Sequence, residues 1–93
     1  MAILYKQSGE IEDVQPKNGK RFTREELYEM LECDTVERVF IKGTGVIMIV
    51  DEAGKLRQRP LNVAATMVYH SCRRMSDCDW IAGDALVCYT EQF

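Results

Sequence analysis

The residue types that most readily bind metals lie close together in one short stretch of this sequence. His70, Cys72 and Cys78 fall within residues 70–78, and imidazole and thiolate groups are the usual ligands of structural zinc. Their spacing matches no zinc-knuckle pattern. A structural zinc site has four ligands, so these three residues would need a fourth. The candidates for it are Asp77, Asp79, Cys33 and Cys88. We therefore expect no metal site.

The same residues are poor candidates for nucleophilic catalysis. A thiolate nucleophile needs a neighbouring base, and His70 is the single histidine of the chain. Cys72 follows it by two positions on a predicted helix, where residues so spaced point to different faces. The four cysteines contain no Cys-x-x-Cys pair, which favours free structural thiols. We expect a protein that is not an enzyme and has no cofactor.

Positive charge is concentrated in a second stretch, which is the main candidate for a binding site. Residues 55–74 contain five Lys and Arg side chains and no Asp or Glu. A strand at residues 55–58 would place alternate side chains on one face, and arginines at the end of a helix complement its dipole. The residues that we predict to bind an anion or a partner are Lys55, Arg57, Arg59, His70, Arg73 and Arg74. The alternative is that these cations only solvate a strand edge and a helix end.

The composition of the whole chain indicates one domain over residues 1–93. Of these residues 46% are hydrophobic and 29% charged, and the net charge is -3. Residues 1–54 carry seven basic against eleven acidic side chains, whereas residues 55–93 carry five against four. An acidic chain is a poor general nucleic-acid binder. The sequence also has no apolar run of membrane-spanning length and no signal-peptide pattern, so we expect a soluble, cytoplasmic domain without membrane contact.

The elements that would position the candidate residues begin with a hairpin and a helix. The turn-forming pair Ser8-Gly9 predicts a hairpin over residues 2–14. Thr23 and Glu26 have the spacing of a capping box, in which each side chain bonds a backbone N–H of the first helical turn. Together with the apolar residues that follow, this box predicts a helix that ends near Cys33.

The middle of the chain predicts strands. Residues 35–41 alternate in polarity and residues 46–50 are continuously apolar, which is typical of a half-buried strand and of a strand buried on both faces. The sequence Asp51-Glu52-Ala53-Gly54 suits a type I turn closed by a left-handed glycine. Such a turn would return the chain as a further hairpin strand at residues 55–58.

The last third of the chain predicts a helix and a closing strand. Asn62 is a good N-cap for a helix over residues 63–73. Residues 85–89 have the composition of a strand, which we expect to return to the middle of the sheet beside residues 46–50. The predicted order is β-β-α-β-β-β-α-β, a single-domain α+β fold with a mainly antiparallel sheet and two helices on its face or edge.

Three stretches of the sequence carry a family resemblance: GKRFTREELYEML, VIMIVDEAGKLRQRPLNVAAT and IAGDALVC. In this order, and over nearly the whole chain, they resemble a family of small uncharacterised proteins, a domain of unknown function, that occurs in bacteriophages, conjugative elements and their bacterial hosts. Residues 69–79 depart from the family pattern. The motif residues that are not obviously core residues are Asn62, Thr66, Gly83 and Asp84. Helix capping and a turn account for three of them, Asn62, Gly83 and Asp84, without a ligand.

Three functional hypotheses follow. The first is a non-enzymatic binding or regulatory accessory protein of a mobile genetic element, whose protein partner meets the surface between residues 55–59 and the end of the second helix. The second is a homo-oligomeric protein that sequesters a small anionic, nucleotide-like ligand through the same cations. The third is a small metal-binding or hydrolytic protein that uses His70 and the cysteines.

Overall fold

The chain folds into a five-stranded antiparallel sheet with one helix on each face. The computed structural model describes residues 2–41, 45–71 and 80–93. The elements are the strands β1 (Ala2–Tyr5), β2 (Ile11–Asp13), β3 (Val36–Ile41), β4 (Val46–Asp51) and β5 (Ala85–Tyr89), and the helices α1 (Arg24–Leu31) and α2 (Val63–Ser71). A short 3-10 helix, Thr90–Gln92, follows β5. The predicted α+β class, with its antiparallel sheet and two helices, is confirmed.

The closing strand β5 lies at the centre of the sheet. The strand order is β2-β1-β5-β4-β3, and β5 pairs antiparallel with both β1 and β4. The predicted return of residues 85–89 beside residues 46–50 is therefore confirmed, with Ile49 opposite Leu86. The predicted N-terminal hairpin and the strand at residues 35–41 are also present. The two edges of the sheet are β2 and β3.

Each face of the sheet is covered by one helix. Side chains alternate across a strand, so Ile47 and Ile49 of β4 pack in the cluster that contains Leu27 and Leu31 of α1. Met48 packs in the opposite cluster, with residues of α2. Because both of its faces are covered, β4 reads as a continuous apolar run. Among the described residues, no helix has the length and apolar character needed to cross a bilayer.

Helix α1 begins with the predicted capping box. The Thr23 hydroxyl accepts a hydrogen bond from the Glu26 N–H at 3.2 Å, and the Glu26 carboxylate accepts one from the Thr23 N–H at 3.0 Å. The same carboxylate accepts a bond from the Lys17 N–H at 3.0 Å. These bonds lower the pKa of Glu26. The helix ends at a left-handed residue, Glu32, with φ of 52°, just before the predicted end near Cys33.

The predicted hairpin strand at residues 55–58 is wrong. Residues 52–58 form successive turns instead. The Asp51 carboxylate accepts a hydrogen bond from the Ala53 N–H at 2.9 Å, and the Arg57 and Arg59 N–H groups bond back to the carbonyls of residues 53 and 54 at 2.9 and 3.0 Å. Because these bonds wind the backbone rather than extend it, the three cations at positions 55, 57 and 59 do not share the face of a strand.

Gly54 serves this turn in a different way from the one predicted. A Cβ atom on Gly54 would lie 2.8 Å from the carbonyl oxygen of Ala82, so the glycine allows the turn to pack against the segment that precedes β5. The left-handed residue near the end of the turn is Gln58, with φ of 56°, and the prediction of a left-handed glycine here is wrong.

The buried side chain of Asn62 joins helix α2 to the sheet. Its amide oxygen accepts a hydrogen bond from the Ala65 N–H at 3.0 Å, which confirms the predicted N-cap. Its amide nitrogen donates to the carbonyls of Tyr5 and Gly83, both at 2.8 Å. The residue is 1% exposed, so these partners replace the water that an amide would otherwise bind. One side chain thus ties the start of α2 to the end of β1 and the approach to β5.

We expect Asn62→Ala to lower the free energy of unfolding by about 3 kcal/mol, because it removes a helix cap and leaves two carbonyls without their donor. Urea denaturation followed by circular dichroism measures the change. Asn18→Ala is the matched control, since the side-chain oxygen of Asn18 accepts hydrogen bonds from the backbone N–H groups of Lys20 and Arg21 in an exposed turn. That variant should lose less than about 1 kcal/mol. Equal losses at the two positions would contradict the role assigned to Asn62.

Candidate binding groove

A groove of about 410 Å³ runs along the α2 side of strands β3 and β4. Val39 and Val50, which belong to the hydrophobic cluster under α2, lie along the strands that line it. The turn at residues 52–58 supplies Lys55 and Leu56, and Tyr69 of α2 completes the apolar lining together with a segment that precedes β5. The remaining lining residues are Glu37, Arg38, Phe40, Asp51, Glu52, Gly54, Trp80, Ile81 and Ala82.

A buried ion pair fixes the turn that forms one wall of this groove. The Asp51 side chain is 2% exposed, and its carboxylate accepts a hydrogen bond from Arg59 Nε at 2.8 Å. The guanidinium of Arg59 also donates to the carbonyl of Glu32 at the end of α1. Arg57 lies nearby, with Nε 3.9 Å from the same carboxylate, and donates to Asp34 Oδ1 at 2.6 Å. The turn is thereby bound to the end of β4 and to the loop after α1.

The rim of the groove carries a cation held on an aromatic ring. Lys55 Nζ lies 4.3 Å from the centroid of the Trp80 ring, a geometry in which the ring quadrupole attracts the ammonium group. The contact links the 52–58 turn to the segment that leads into β5. The ring of the lining residue Tyr69 meets the imidazole of His70 edge-on, with centroids 5.4 Å apart.

The six cations predicted to form a binding site have different surroundings. Arg57 and Arg59 lie together around Asp51 and are bound to carboxylates, so they stabilise the turn. Lys55 lines the groove, and His70 follows the groove residue Tyr69 in α2. Arg73 and Arg74 lie outside the described residues, as do Cys72 and Cys78 of the histidine-cysteine cluster.

Sequence reasoning missed the apolar residues of the groove. Leu56 and Trp80 are exposed side chains at its rim, but each follows turn-forming or polar residues and belongs to no periodic pattern. The signal that could have found Trp80 is an isolated large aromatic directly after a polar stretch, because such residues are enriched in interfaces.

The described cysteines have the character of structural thiols. Cys33 is half-buried and Cys88 is buried, and both are free. Burial raises the pKa of Cys33, and the neighbouring charge of Asp51 raises it further. Burial also raises the pKa of Cys88 to about 11. Over the described residues, no group of three or more His, Cys, Asp or Glu side chains could hold a metal ion.

The motif residues that are not core residues fix the segment that precedes β5, which lies next to the groove. Thr66 Oγ1 accepts a hydrogen bond from the Ile81 N–H at 2.9 Å, and Asp84 Oδ1 accepts one from the Gln7 N–H at 2.8 Å. Gly83 has φ of 85°, and a Cβ atom there would lie 2.8 Å from Cδ of Arg59. Gly83 therefore allows the arginine of the buried ion pair to pack directly on the backbone. Together with the hydrogen bonds of Asn62, these contacts give each of the four motif residues a role in the fold.

The sequence matches a known domain family over residues 1–92. That family is described as a domain of unknown function (DUF3846), and the chain belongs to it. No curated protein and no solved structure matches the chain.

Arg59→Met should lower the free energy of unfolding by about 3 kcal/mol, because it leaves the buried Asp51 carboxylate without its main partner. Arg57→Met is the matched control and should cost less than about 1 kcal/mol, since the bond from Arg57 to Asp34 is exposed to water. Urea unfolding of both variants measures the difference. A loss at Arg57 as large as that at Arg59 would show that the exposed pair, rather than the buried one, holds the turn.

Cys88 should resist alkylation in the folded protein. At pH 8 a pKa near 11 in place of 9.0 reduces the thiolate fraction about 100-fold, and the thiolate is the reactive form. Iodoacetamide labelling mapped by mass spectrometry should modify Cys88 in urea and leave it unmodified in buffer. Labelling of Cys88 at the same rate in both conditions would mean that the strand β5 opens readily.

Proposed function

Starting from the membership of this chain in that domain family, we propose that it is a non-enzymatic binding module. Its groove would bind an apolar segment of a partner protein. The observation that carries the proposal is the exposure of large apolar side chains around one groove. Leu56 is 88% exposed and Trp80 47%, and both line it. Exposed apolar groups that cluster beside a cavity are typical of protein interaction sites.

The charges around the groove support a protein segment over an anion. Exposed lining residues carry both signs, with Glu37 and Glu52 acidic and Lys55 basic. Arg57 and Arg59, which the anion hypothesis requires, are bound to Asp34 and Asp51. Apolar centres with charged rims of mixed sign are the usual anatomy of protein interfaces. The groove volume also accommodates one or two large side chains of a partner.

The chemistry of the described residues supports a binding role over a catalytic one. The thiols of Cys33 and Cys88 have raised pKa values, which disfavours the thiolate needed for nucleophilic attack. The resemblance of the sequence to proteins of bacteriophages and conjugative elements supports a finer assignment. We place the module among the accessory proteins of a mobile genetic element, with a protein of the host or of the element as its partner.

Peptide selection tests the proposal directly. A library of random linear peptides displayed on phage is selected against the folded chain, and the recovered peptides are titrated into wild type and Leu56→Glu by calorimetry. We expect peptides rich in aromatic or aliphatic residues, and a loss of affinity of about tenfold or more in Leu56→Glu, because the substitution removes an apolar contact and a bound apolar side chain would strip water from the carboxylate. Leu56 is almost fully exposed, so the substitution leaves the core intact.

Met67→Glu is the matched control, because Met67 is an exposed apolar residue of α2 that does not line the groove. It should bind the selected peptides as wild type does. Affinity that falls equally in both variants, or no selected peptide that depends on Leu56, contradicts the proposal. Titration with ATP separates the anion hypothesis: an ATP complex that Lys55→Ala weakens and Leu56→Glu leaves unchanged would favour it.

A further inference from the structure

The two edges of the sheet differ in how well they are protected against pairing with another strand. β2 has three residues, two of them acidic, and Pro16 follows it closely. Short length, like charges and a nearby proline are the usual means of blocking an edge. β3 is six residues long, contains neither proline nor glycine, and consists largely of β-branched and aromatic residues. β3 is the unprotected edge.

The hydrogen-bonding groups that β3 presents outward can be assigned from its register. The Glu52 N–H donates to the Thr35 carbonyl at 3.2 Å, and bonded pairs alternate along an antiparallel ladder. The odd-numbered residues of β3 therefore bond to β4, and Val36, Arg38 and Phe40 direct their N–H and C=O groups away from the sheet. The described part of the chain places no strand and no backbone partner against these groups.

We propose that β3 pairs antiparallel with β3 of a second copy of this chain, about a two-fold axis that passes beside Val39. A two-fold axis normal to the sheet keeps each side chain on its own face, so only residues of the same parity can lie opposite each other. In the register centred on Val39, Arg38 lies opposite Phe40 of the second copy and exchanges two backbone hydrogen bonds with it. The two-fold axis generates the same pair a second time, between Phe40 of the first copy and Arg38 of the second. The two five-stranded sheets then join into one sheet of ten strands.

The charge pattern of β3 favours this occupant and this register. A register centred on Arg38 would set two guanidinium groups opposite each other, and one centred on Glu37 would oppose two carboxylates; like charges directly opposite are destabilising. Centring on Val39 instead places a cation against an aromatic ring. Arg38 already makes this contact within one chain, since its guanidinium carbon lies 5.0 Å from the centroid of the Phe40 ring. The half-exposed Phe40 would be covered in the dimer.

The dimer has a consequence for the groove. Val39 of β3 faces the α2 side of the sheet, and the two-fold axis normal to the sheet keeps both α2 sides on one surface. Two grooves would then open on the same side of a continuous sheet. The inference does not rest on what the groove binds, because it uses the backbone edge of β3. Pairing of two six-residue strands buries less than a standard interface, so the dimer should depend on protein concentration.

Cross-linking at the axis is the sharpest test. Directly opposite residues in a pair that is not hydrogen-bonded have Cα atoms about 4.5 Å apart, which is within disulfide reach. Val39→Cys should therefore form a 39–39 disulfide under mild oxidation, identified as a linked peptide by mass spectrometry. Val36→Cys is the matched control on the same strand. Its two copies would lie six residue steps apart, or about 20 Å, and should not be joined.

Light scattering during size-exclusion chromatography gives the independent readout. The wild-type mass should rise from 10.7 kDa toward twice that value as concentration increases. Phe40→Lys puts an ammonium group opposite Arg38 of the second copy and should raise the dissociation constant of the dimer about tenfold or more. Phe40 is half-exposed at the edge, so this variant keeps the fold. Leu56→Glu should dimerise as wild type does, which separates this inference from the groove.

Three outcomes would overturn the inference. The first is a mass of one chain at every concentration with no 39–39 disulfide. The second is a dimer that Phe40→Lys leaves unchanged and that Val39→Cys does not cross-link, since it must use another surface. The third is a single chain whose β3 edge pairs with a foreign peptide, detected as new amide protection at Val36, Arg38 and Phe40 on peptide addition.

Discussion

The ion pair between Asp51 and Arg59 is the interaction on which the shape of the candidate site depends. A carboxylate that is almost completely buried at the end of β4 needs a partner, and the chain supplies one by winding residues 52–58 back over the strand end. The same arginine reaches the last carbonyl of α1. The turn therefore forms one wall of the groove, and Leu56 lies exposed to solvent in this turn.

The second constraint lies where the chain crosses from α2 to the central strand. Asn62 caps α2 and donates to two backbone carbonyls, while Gly54 and Gly83 allow backbone and arginine to approach where any side chain would collide. These polar and glycine contacts bring Trp80 against Lys55 and Tyr69 into the groove. The packing that positions the candidate groove thus explains these motif residues.

The basic residues of positions 55–74 show that a charge count along the sequence does not describe the charge at the folded surface. Residues 55–74 have no acidic residue, yet the acidic partners of Arg57 and Arg59 come from Asp34 and Asp51, which lie earlier in the chain. Folding neutralises that part of the basic stretch. The described surface around the turn has an apolar rim with charges of both signs and lies beside β3, an edge strand of the sheet, and both features are suited to protein contacts.

The sequence by itself determined the elements whose signals are local. The capping box of Thr23 and Glu26, the N-cap Asn62, the buried apolar strand at residues 46–50 and the α+β class all follow from spacing and propensity. Tertiary structure alone decided that residues 55–58 wind instead of extending, because the buried carboxylate of Asp51 and the distant carbonyl of Glu32 both bind the side chain of Arg59. It also decided the groove and the position of β3 at an edge of the sheet, since both arise from which elements meet in space. No local pattern encodes a meeting of residues 39, 56, 69 and 80.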